Sequence, residues 1–376
     1  MVYKVIGLMS GSSLDGLDIA YVHLQERAVT GKQVAKHWDF ELIHTACYPY
    51  PESWKQRLAE APVLSALDYQ LLHVEYGHYL GEQVLKFVEA FGLEYKVQLI
   101  VSHGHTAFHW PTRKMTAQLG DGAAIAATTR VNVVSDLRAM DLALGGQGAP
   151  IVPIGEELLL PGYELFLNLG GIANVSRHGG VGAEGGADGG FLAFDVCPAN
   201  RVLNALAELE RLAYDDGGAL AASGKVDHQL LQQLNALPYY TMPYPKSLAN
   251  EFGTEVVLPL VRQAMGERGL WTADALRTYV EHIALQVARA VEALGGGARM
   301  LVTGGGAHNT FLVERLRHRL GFEVVVPDKS LVDYKEALIM ALIGVLRWRE
   351  ENNVLASVTG ASRDSIGGAV WIGQEG

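Results

Sequence analysis

The chain has 376 residues, 49% of them hydrophobic and 19% charged, with a formal net charge of −11 at pH 7. That length suits roughly two to three domains with substantial cores, and the composition carries no signature of disorder. The acidic balance, with no Lys/Arg run to offset it, argues against nucleic acid and anionic membranes as partners.

Two cysteines, Cys47 and Cys197, are too few for a disulfide framework or a zinc site. No charged-then-apolar leader opens the chain, and no apolar stretch reaches the roughly 20 residues of a membrane span. A soluble, cytoplasmic protein is therefore expected.

In chain order, the apolar runs 5–9 and 17–22 are joined by Ser10-Gly11-Ser12-Ser13-Leu14-Asp15-Gly16, which predicts a hairpin over residues 2–24. Gly11 and Gly16 are expected to allow positive φ and close backbone approach. Ser10, Ser12 and Ser13 crowd hydroxyls and N–H donors onto the tip, an arrangement able to wrap an anion such as phosphate. Taken alone, an ordinary solvated turn explains the same residues. Residues 36–47 read as a further strand, with a break at Tyr48-Pro49-Tyr50-Pro51, and residues 53–91 as mainly helical by apolar spacing. A short buried strand, 97–102, ends in Ser102-His103-Gly104-His105-Thr106, at the carboxyl end where α/β sheets place ligand contacts. Gly120-Asp121-Gly122 precedes a helix over 123–129. A strand over 131–135 delivers Asp136, Arg138 and Asp141, and the glycine loop 144–150 follows.

The second half opens like the first, with a hairpin over 165–176 whose tip is Gly170-Gly171. Residues 179–190 are glycine-rich and read as a flexible hairpin end. A strand over 191–195 is followed by a helix over 198–212, then a loop-rich tract over 230–259 holding Tyr239, Tyr240 and Tyr244. A long amphipathic helix covers 272–294. The strand 300–303 runs into Gly304-Gly305-Gly306 and a helix over 311–320; a strand over 322–326, a helix over 334–349 and a strand-like 369–372 complete the chain. This alternation predicts two α/β domains, residues 1–130 with about 352–376, and 131–351.

Several residues carry two readings. Asp195 follows an apolar strand and precedes Pro198, so it is either a general base at a strand end or the N-cap of the next helix. Arg138 is either locked in a salt bridge with Asp136 and Asp141 or free to fork onto a carboxylate. His103 and His105 have no third ligand in register and sit in what reads as an exposed turn, which disfavours a metal. Trp110 is either a stacking surface for a sugar or a core aromatic.

Two phosphate-type hairpins and a strand–GGG–helix element, without a Walker A sequence, resemble the actin/hexokinase/Hsp70 ATPase superfamily. The segments GLMSGSSLDGLD (7–18), SHGHT (102–106), QLGDGAAIA (118–126), D-x-R-x-x-D…GGQGAP (136–150), LNLGGIANV (167–175), F-D-x-x-P-x-N (194–200) and GGGAHN (304–309) are similar, in order and spacing, to the anhydro-N-acetylmuramic acid kinases. The resemblance implies a two-domain α/β, actin/hexokinase-like (ribonuclease-H-like) fold with an interdomain cleft. It also implies an enzyme that opens the 1,6-anhydro bridge of an amino sugar with water and phosphorylates O6 from ATP, with Mg²⁺, in peptidoglycan recycling.

By the same resemblance Asp195 is the catalytic base, and Gly11, Ser12, Ser13, Leu14, Asp15, Gly16, Leu17 and Asp18 contact ATP. Gly170, Gly171, Gly304, Gly305, Gly306 and Asn309 complete the nucleotide site. His103, Gly104, His105, Arg138, Asp141, Gly146, Gln147 and Asn200 fall to the sugar, whose lactyl carboxylate would suit Arg138. His105 stands where the family commonly has Gln, which favours hydrogen bonding to sugar hydroxyls. Glu336 matches an acidic position and would reach Mg²⁺ through water or serve a helix N-terminus. Cys197-Pro198-Ala199-Asn200 replaces the family's G-P-G-N, adding Cβ atoms that bear on substrate choice. The alternatives are a same-fold kinase of another sugar, or a non-catalytic nucleotide sensor. The number of subunits is open, a homodimer included.

Overall fold

The computed structural model describes residues 1–11, 14–27, 37–178, 192–243, 246–249 and 251–373. Its strands in chain order are β1 (Val2–Ser10), β2 (Gly16–Glu26), β3 (Trp38–Pro49), β4 (Leu99–Ser102), β5 (His105–Trp110), β6 (Met115–Leu119) and β7 (Val133–Ser135). They continue with β8 (Leu165–Leu169), β9 (Ile172–Arg177), β10 (Leu192–Pro198), β11 (Arg299–Thr303), β12 (Glu323–Val325) and β13 (Ala369–Trp371). The chain divides into two compact units, Met1–Pro161 with Tyr334–Gly376, and Gly162–Asp333.

In the first unit the sheet order is β13-β7-β4-β1-β2-β3, with β5 and β6 as a separate pair. Strands β1, β2 and β3 form an antiparallel meander because short connections can only turn the chain back, while β4 and β7 join β1 in parallel after helical crossovers. In the second unit the order is β10-β9-β8-β11-β12, again a meander with two parallel strands added on the side of its first strand. Counted within each sheet, both follow one plan, 3-2-1-4-5, and the first adds β13 at its edge. This is the actin/hexokinase-like α/β fold.

Ile6, Leu8, Leu17, Ile19 and Ile100 of the first sheet pack on Leu72, Tyr76, Leu80, Val84 and Phe87 of the helix Ala66–Phe91. In the second unit Leu165, Leu167, Val175 and Val302 pack on Tyr279, Ile283 and Val287 of the helix Thr272–Ala293. Among the described residues, no helix is long and apolar enough to cross a membrane.

Several expectations need correction. The breaks expected at 130 and 352 fall inside the first unit. Strand β7 pairs with β4 and β13, and the helix Lys329–Trp348 sets Ala337 against Gly7 and Gly344 against Val101, which binds both stretches to the first sheet. Strand β3 runs on to Pro49, two residues into the expected break, which Tyr50 and Pro51 still make. Strand β10 continues through Pro198, so the next helix begins at Asn200 and ends at Ala207. The tract expected to be loop-rich holds the helix His228–Asn235 and a π-helix, Phe252–Val257. On the helix Ala66–Phe91, Leu67, Leu71, Val74 and Leu85 are exposed, because the buried stripe through Leu72, Tyr76 and Leu80 takes the opposite side. The tract 179–190, Ser12, Ser13 and Tyr244 lie outside the described residues.

Candidate active site

In the first unit, the end of β1 is tied down by hydroxyls. Buried Ser10 accepts from Tyr50 Oη at 2.9 Å, its Oγ lies 3.3 Å from His105 Nδ1, and Tyr50 Oη is 2.5 Å from Tyr76 Oη. Ser10 is thereby part of the support of the hairpin tip. Among the described residues of the tip, the positive φ falls on Leu14, at 58°, whose N–H reaches the Gly11 carbonyl at 3.4 Å. Gly16 serves the expected close backbone approach without a positive φ: a Cβ there would stand 2.7 Å from Cys47 Sγ and from the Tyr48 carbonyl oxygen, so glycine lets β2 approach β3. Leu17 is buried, Asp18 half-buried and Asp15 exposed.

A second group gathers around Arg138. His103 Nδ1 donates to the Gly104 carbonyl at 2.8 Å, which leaves Nε2 to accept from Arg138 Nε at 2.9 Å. Burial, then the neighbouring guanidinium, pushes the His103 imidazole down to about 3, so it is neutral and its tautomer is set. Arg138 Nη1 donates to the Gly148 carbonyl at 2.5 Å, and burial lowers the guanidinium to about 10 against the opposing pull of Glu336 and Asp141. The salt-bridge alternative with Asp136 and Asp141 is not the arrangement found. Asp136 accepts from Ser135 Oγ at 3.1 Å. Asp141, 1% exposed, accepts from Gly148 N at 2.7 Å and from Thr359 Oγ at 2.6 Å.

Asp141 thus anchors the glycine loop. Gly146 lies against its carboxylate with no room for a Cβ, Gln147 donates its backbone N–H to Thr359 O at 2.8 Å, and the Gln147 side chain is exposed. Beside this group, Lys335 Nζ pairs with Glu156 Oε1 at 2.7 Å, both side chains only 4% exposed. Burial holds the neighbouring Glu336 above the ordinary carboxylate range, with Lys335 and Arg138 drawing it back. His103 and His105 are 4% and 7% exposed, so the exposed turn expected for them is buried. Trp110 is 55% exposed, which removes the core reading for it.

In the second unit Asp195 sits in mid-strand, where the β9–β10 register shifts between Asp195 and Cys197. One carboxylate oxygen accepts from Asn174 Nδ2 and the other from the Leu248 N–H at 2.8 Å. Its own N–H donates to Lys246 O at 3.1 Å, and Tyr239 Oη donates to its carbonyl at 2.5 Å. Burial raises the Asp195 carboxyl, and the Leu248 and Asn174 donors partly offset that rise. The N-cap reading fails: the helix Asn200–Ala207 is capped at Ala199 without a side-chain bond. Cys197 and Ala199 are fully buried in the unit's apolar core, so their side chains pack there.

Gly170 and Gly171 form the tip of the β8–β9 hairpin, and their carbonyls accept from Asn200 N and Ala199 N at 3.1 and 2.8 Å. Asn200 Nδ2 donates to Leu169 O at 3.0 Å, and the same side chain borders Gly305 and Gly306. Asn309 caps the helix Thr310–Leu320, accepting from Leu312 N at 2.9 Å. Reasoning from sequence missed Asn174, Leu248, Tyr239, Tyr50, Thr359 and the Lys335–Glu156 pair. For Asn174 the apolar–polar alternation of Ala173-Asn174-Val175 offered a signal; the backbone N–H of Leu248 offered none.

Among the described residues no three His, Cys, Asp or Glu side chains converge on a metal position. Mg²⁺ keeps most of its water and takes phosphate oxygens, so one or two carboxylates meet its demand on a protein. Half-buried Asp18, opposite Met9 on the first hairpin, and Glu336 are carboxylates of that kind.

Residues 3–373 match the family model described as anhydro-N-acetylmuramic acid kinase. The chain is 36% identical over 391 aligned positions to an anhydro-N-acetylmuramic acid kinase of Rhodococcus erythropolis strain PR4, covering 99% of this chain and 95% of that protein. More distant similarity in structure extends to the activator of the 2-hydroxyisocaproyl-CoA dehydratase from Clostridium difficile with bound ADPNP, with a TM-score of 0.45, 15% identity and coverage of 93% and 96% of the two chains. A ROK family glucokinase from Streptomyces griseus in complex with glucose and AMPPNP follows, with a TM-score of 0.38, 12% identity and coverage of 90% and 97%.

Proposed function

We infer that this chain, which belongs to the anhydro-N-acetylmuramic acid kinase family, is an ATP-dependent phosphotransferase that opens 1,6-anhydro-N-acetylmuramic acid with water and phosphorylates its O6. The products are N-acetylmuramic acid 6-phosphate and ADP. The observation that carries the mechanism is Asp195. Its carboxylate caps no helix, is held by one donor on each oxygen, and is partly buried, which raises its affinity for a proton.

In this reading Asp195 takes a proton from water as the water oxygen bonds to C1. The C1–O6 bond breaks, O6 bonds to the γ-phosphorus, and the bond from that phosphorus to the β–γ bridging oxygen breaks to release ADP. The hairpin tips at Gly11–Asp18 and Gly170–Gly171 supply N–H donors for phosphate oxygens, and Gly304–Gly306 takes the nucleoside. Positioned charge does most of the work in phosphoryl transfer. When bound, Mg²⁺ would neutralise phosphate charge, with Glu336 or Asp18 reaching it through water.

Arg138, held at Nε and Nη1 by His103 and Gly148, offers Nη2 to the lactyl carboxylate. His105 is assigned to a sugar hydroxyl and Asp141 to holding the loop around Gly146 and Gln147. The product fits a role in recycling cell-wall sugar in the cytoplasm. The test is incubation with ATP and Mg²⁺ against a panel of amino sugars with and without the 1,6-anhydro bridge. Release of ADP with the anhydromuramic sugar supports the reading, and release only with an open-chain or non-anhydro sugar overturns it.

A further inference from the structure

The face of the second sheet that carries Asp195 is opposite the one that packs on the helix Thr272–Ala293. Phe194 and Val196 of β10, Ala173 and Val175 of β9, and Leu167 and Val302 of β8 and β11 all belong to the apolar core. Alternation along each strand therefore turns Asp195, Asn174, Asn168 and Thr303 to the opposite face. The register aligns them. Asp195 stands opposite Asn174, Asn174 opposite Asn168, and Asn168 opposite Thr303, a polar row across four strands that ends beside the Gly304 turn.

Within that row we propose that Asn174 is a positioning residue for the reaction, its side-chain amide holding the Asp195 carboxylate oriented and ionised to accept the proton of water. The proposal rests on Asp195 as the base. The two donors take one oxygen each, the Asn174 amide on Oδ1 and the Leu248 N–H on Oδ2. A carboxylate accepts at about four lone-pair sites, so positions remain for water. A hydrogen bond to the charged form favours that form, whereas burial favours the neutral acid. Removing the amide leaves burial opposed only by the Leu248 N–H, and it frees the carboxylate to rotate.

Among the described residues, the titratable groups near Asp195 have partners of their own. Tyr239 donates to the Asp195 main-chain carbonyl at 2.5 Å. Lys246 approaches Asp195 through its main chain, and its Nζ lies 4.5 Å from the centre of the Tyr239 ring and 3.0 Å from the Tyr239 carbonyl. Cys197 is turned into the apolar core, and Arg177 pairs with Leu192 at the far end of β9. An asparagine that merely filled a polar sheet position would affect stability and leave the pH dependence alone.

The experiment compares Asn174→Ala and Asn174→Asp with wild type, following ADP release with the anhydro sugar across pH, together with melting temperature. For Asn174→Ala the plateau kcat should fall about 10- to 100-fold, as for loss of a hydrogen bond to a charged group. The acid limb of the kcat profile should move up by about one pH unit, and KM for ATP should stay within about twofold. Asn174→Asp keeps the shape, removes the donor and adds a like charge, so its acid limb should move further. If the alanine variant does not fold, the aspartate variant decides alone. An unchanged limb and plateau, with or without a lower melting temperature, overturn the proposal. Asp195→Asn run in parallel separates the two claims: near-normal turnover there refutes the base itself, whereas an inactive Asp195→Asn beside unaffected Asn174 variants refutes only the role of Asn174.

Discussion

Gly304 and Gly305 are adjacent in one glycine run, yet the structure predicts opposite consequences for adding a methyl group. Gly304 has φ 80° and ψ 163°, a region open essentially to glycine alone, and an alanine held there costs about 1–3 kcal/mol. Its Cβ would overlap Asn168 Oδ1 and stand 3.0 Å from the Leu169 carbonyl carbon and oxygen, which are backbone and cannot swing aside. Overpacking of that kind adds about 1–3 kcal/mol, so Gly304→Ala should cost about 2–6 kcal/mol in all. For a unit of this size that is a fall of about 5–20 °C in melting temperature.

At Gly305 the nearest atom to a new Cβ is Asn200 Nδ2 at 3.8 Å, ordinary contact, so Gly305→Ala should melt within about 2 °C of wild type. The assay is thermal unfolding with and without ATP and Mg²⁺. A ligand at a hundred times its dissociation constant adds about 2.7 kcal/mol. That gain should survive in wild type and vanish in Gly305→Val, where bulk intrudes on the space assigned to the nucleotide. Equal melting of Gly304→Ala and wild type, or an undiminished ATP shift in Gly305→Val, would refute the reasoning.

Arg138→Ala should weaken the anhydromuramic substrate by about one to two decades, as for a lost charge-assisted bond of about 1.5–3 kcal/mol, and spare an anhydro sugar without the lactyl group; equal losses for both sugars would return the residue to a structural role. Thr359→Val removes the donor to Asp141 Oδ1, so it should cost about 1–3 kcal/mol in urea unfolding and raise KM for the sugar while leaving KM for ATP alone. His282, fully buried between Asn235 and Tyr240, is pushed down to about 3 by burial. Its contribution is therefore complete above the unfolded value near 6.5 and lost as pH falls below it. Between about pH 7.5 and 5.5 that loss is about 1.4 kcal/mol, and His282→Gln should flatten the pH dependence of urea unfolding by that amount. Buried carboxyls such as Asp195 and Glu336 act in the opposite direction and are common to both proteins, so the comparison isolates the imidazole.

The local elements were readable because their signals are local. The first hairpin and the helix Thr272–Ala293 emerge close to the bounds that apolar spacing and turn residues indicate. The last helix begins at Lys329, ahead of the expected Tyr334, and its cue was present: Asp328 accepts from Leu331 N at 3.1 Å, after Pro327. The site is a different matter, because its contacts join residues far apart in the chain. Asp141 meets Thr359 across 218 positions, and Asp195 meets Leu248 across 53. No spacing rule reaches such pairs. Asp195 itself was visible as a carboxylate beside an apolar strand, but excluding the cap required the continuation of β10 through Pro198. Within Gly304-Gly305-Gly306 the sequence is uniform, and only the backbone angles and the neighbouring Asn168 and Leu169 separate the glycine that is sterically required from the one that leaves room.

The most direct test of Asp195 as the base for water attack at C1 is product analysis in ¹⁸O-labelled water. With wild type, ATP and Mg²⁺, every 6-phosphorylated sugar should carry one labelled oxygen at C1, and one ADP should form per product. Asp195→Asn should lose labelled product and ADP together, by at least about 10² in rate, while its ATP-induced rise in melting temperature persists. Unlabelled 6-phosphate product from wild type, or labelled product from Asp195→Asn at a rate within a few-fold of wild type, would contradict the account.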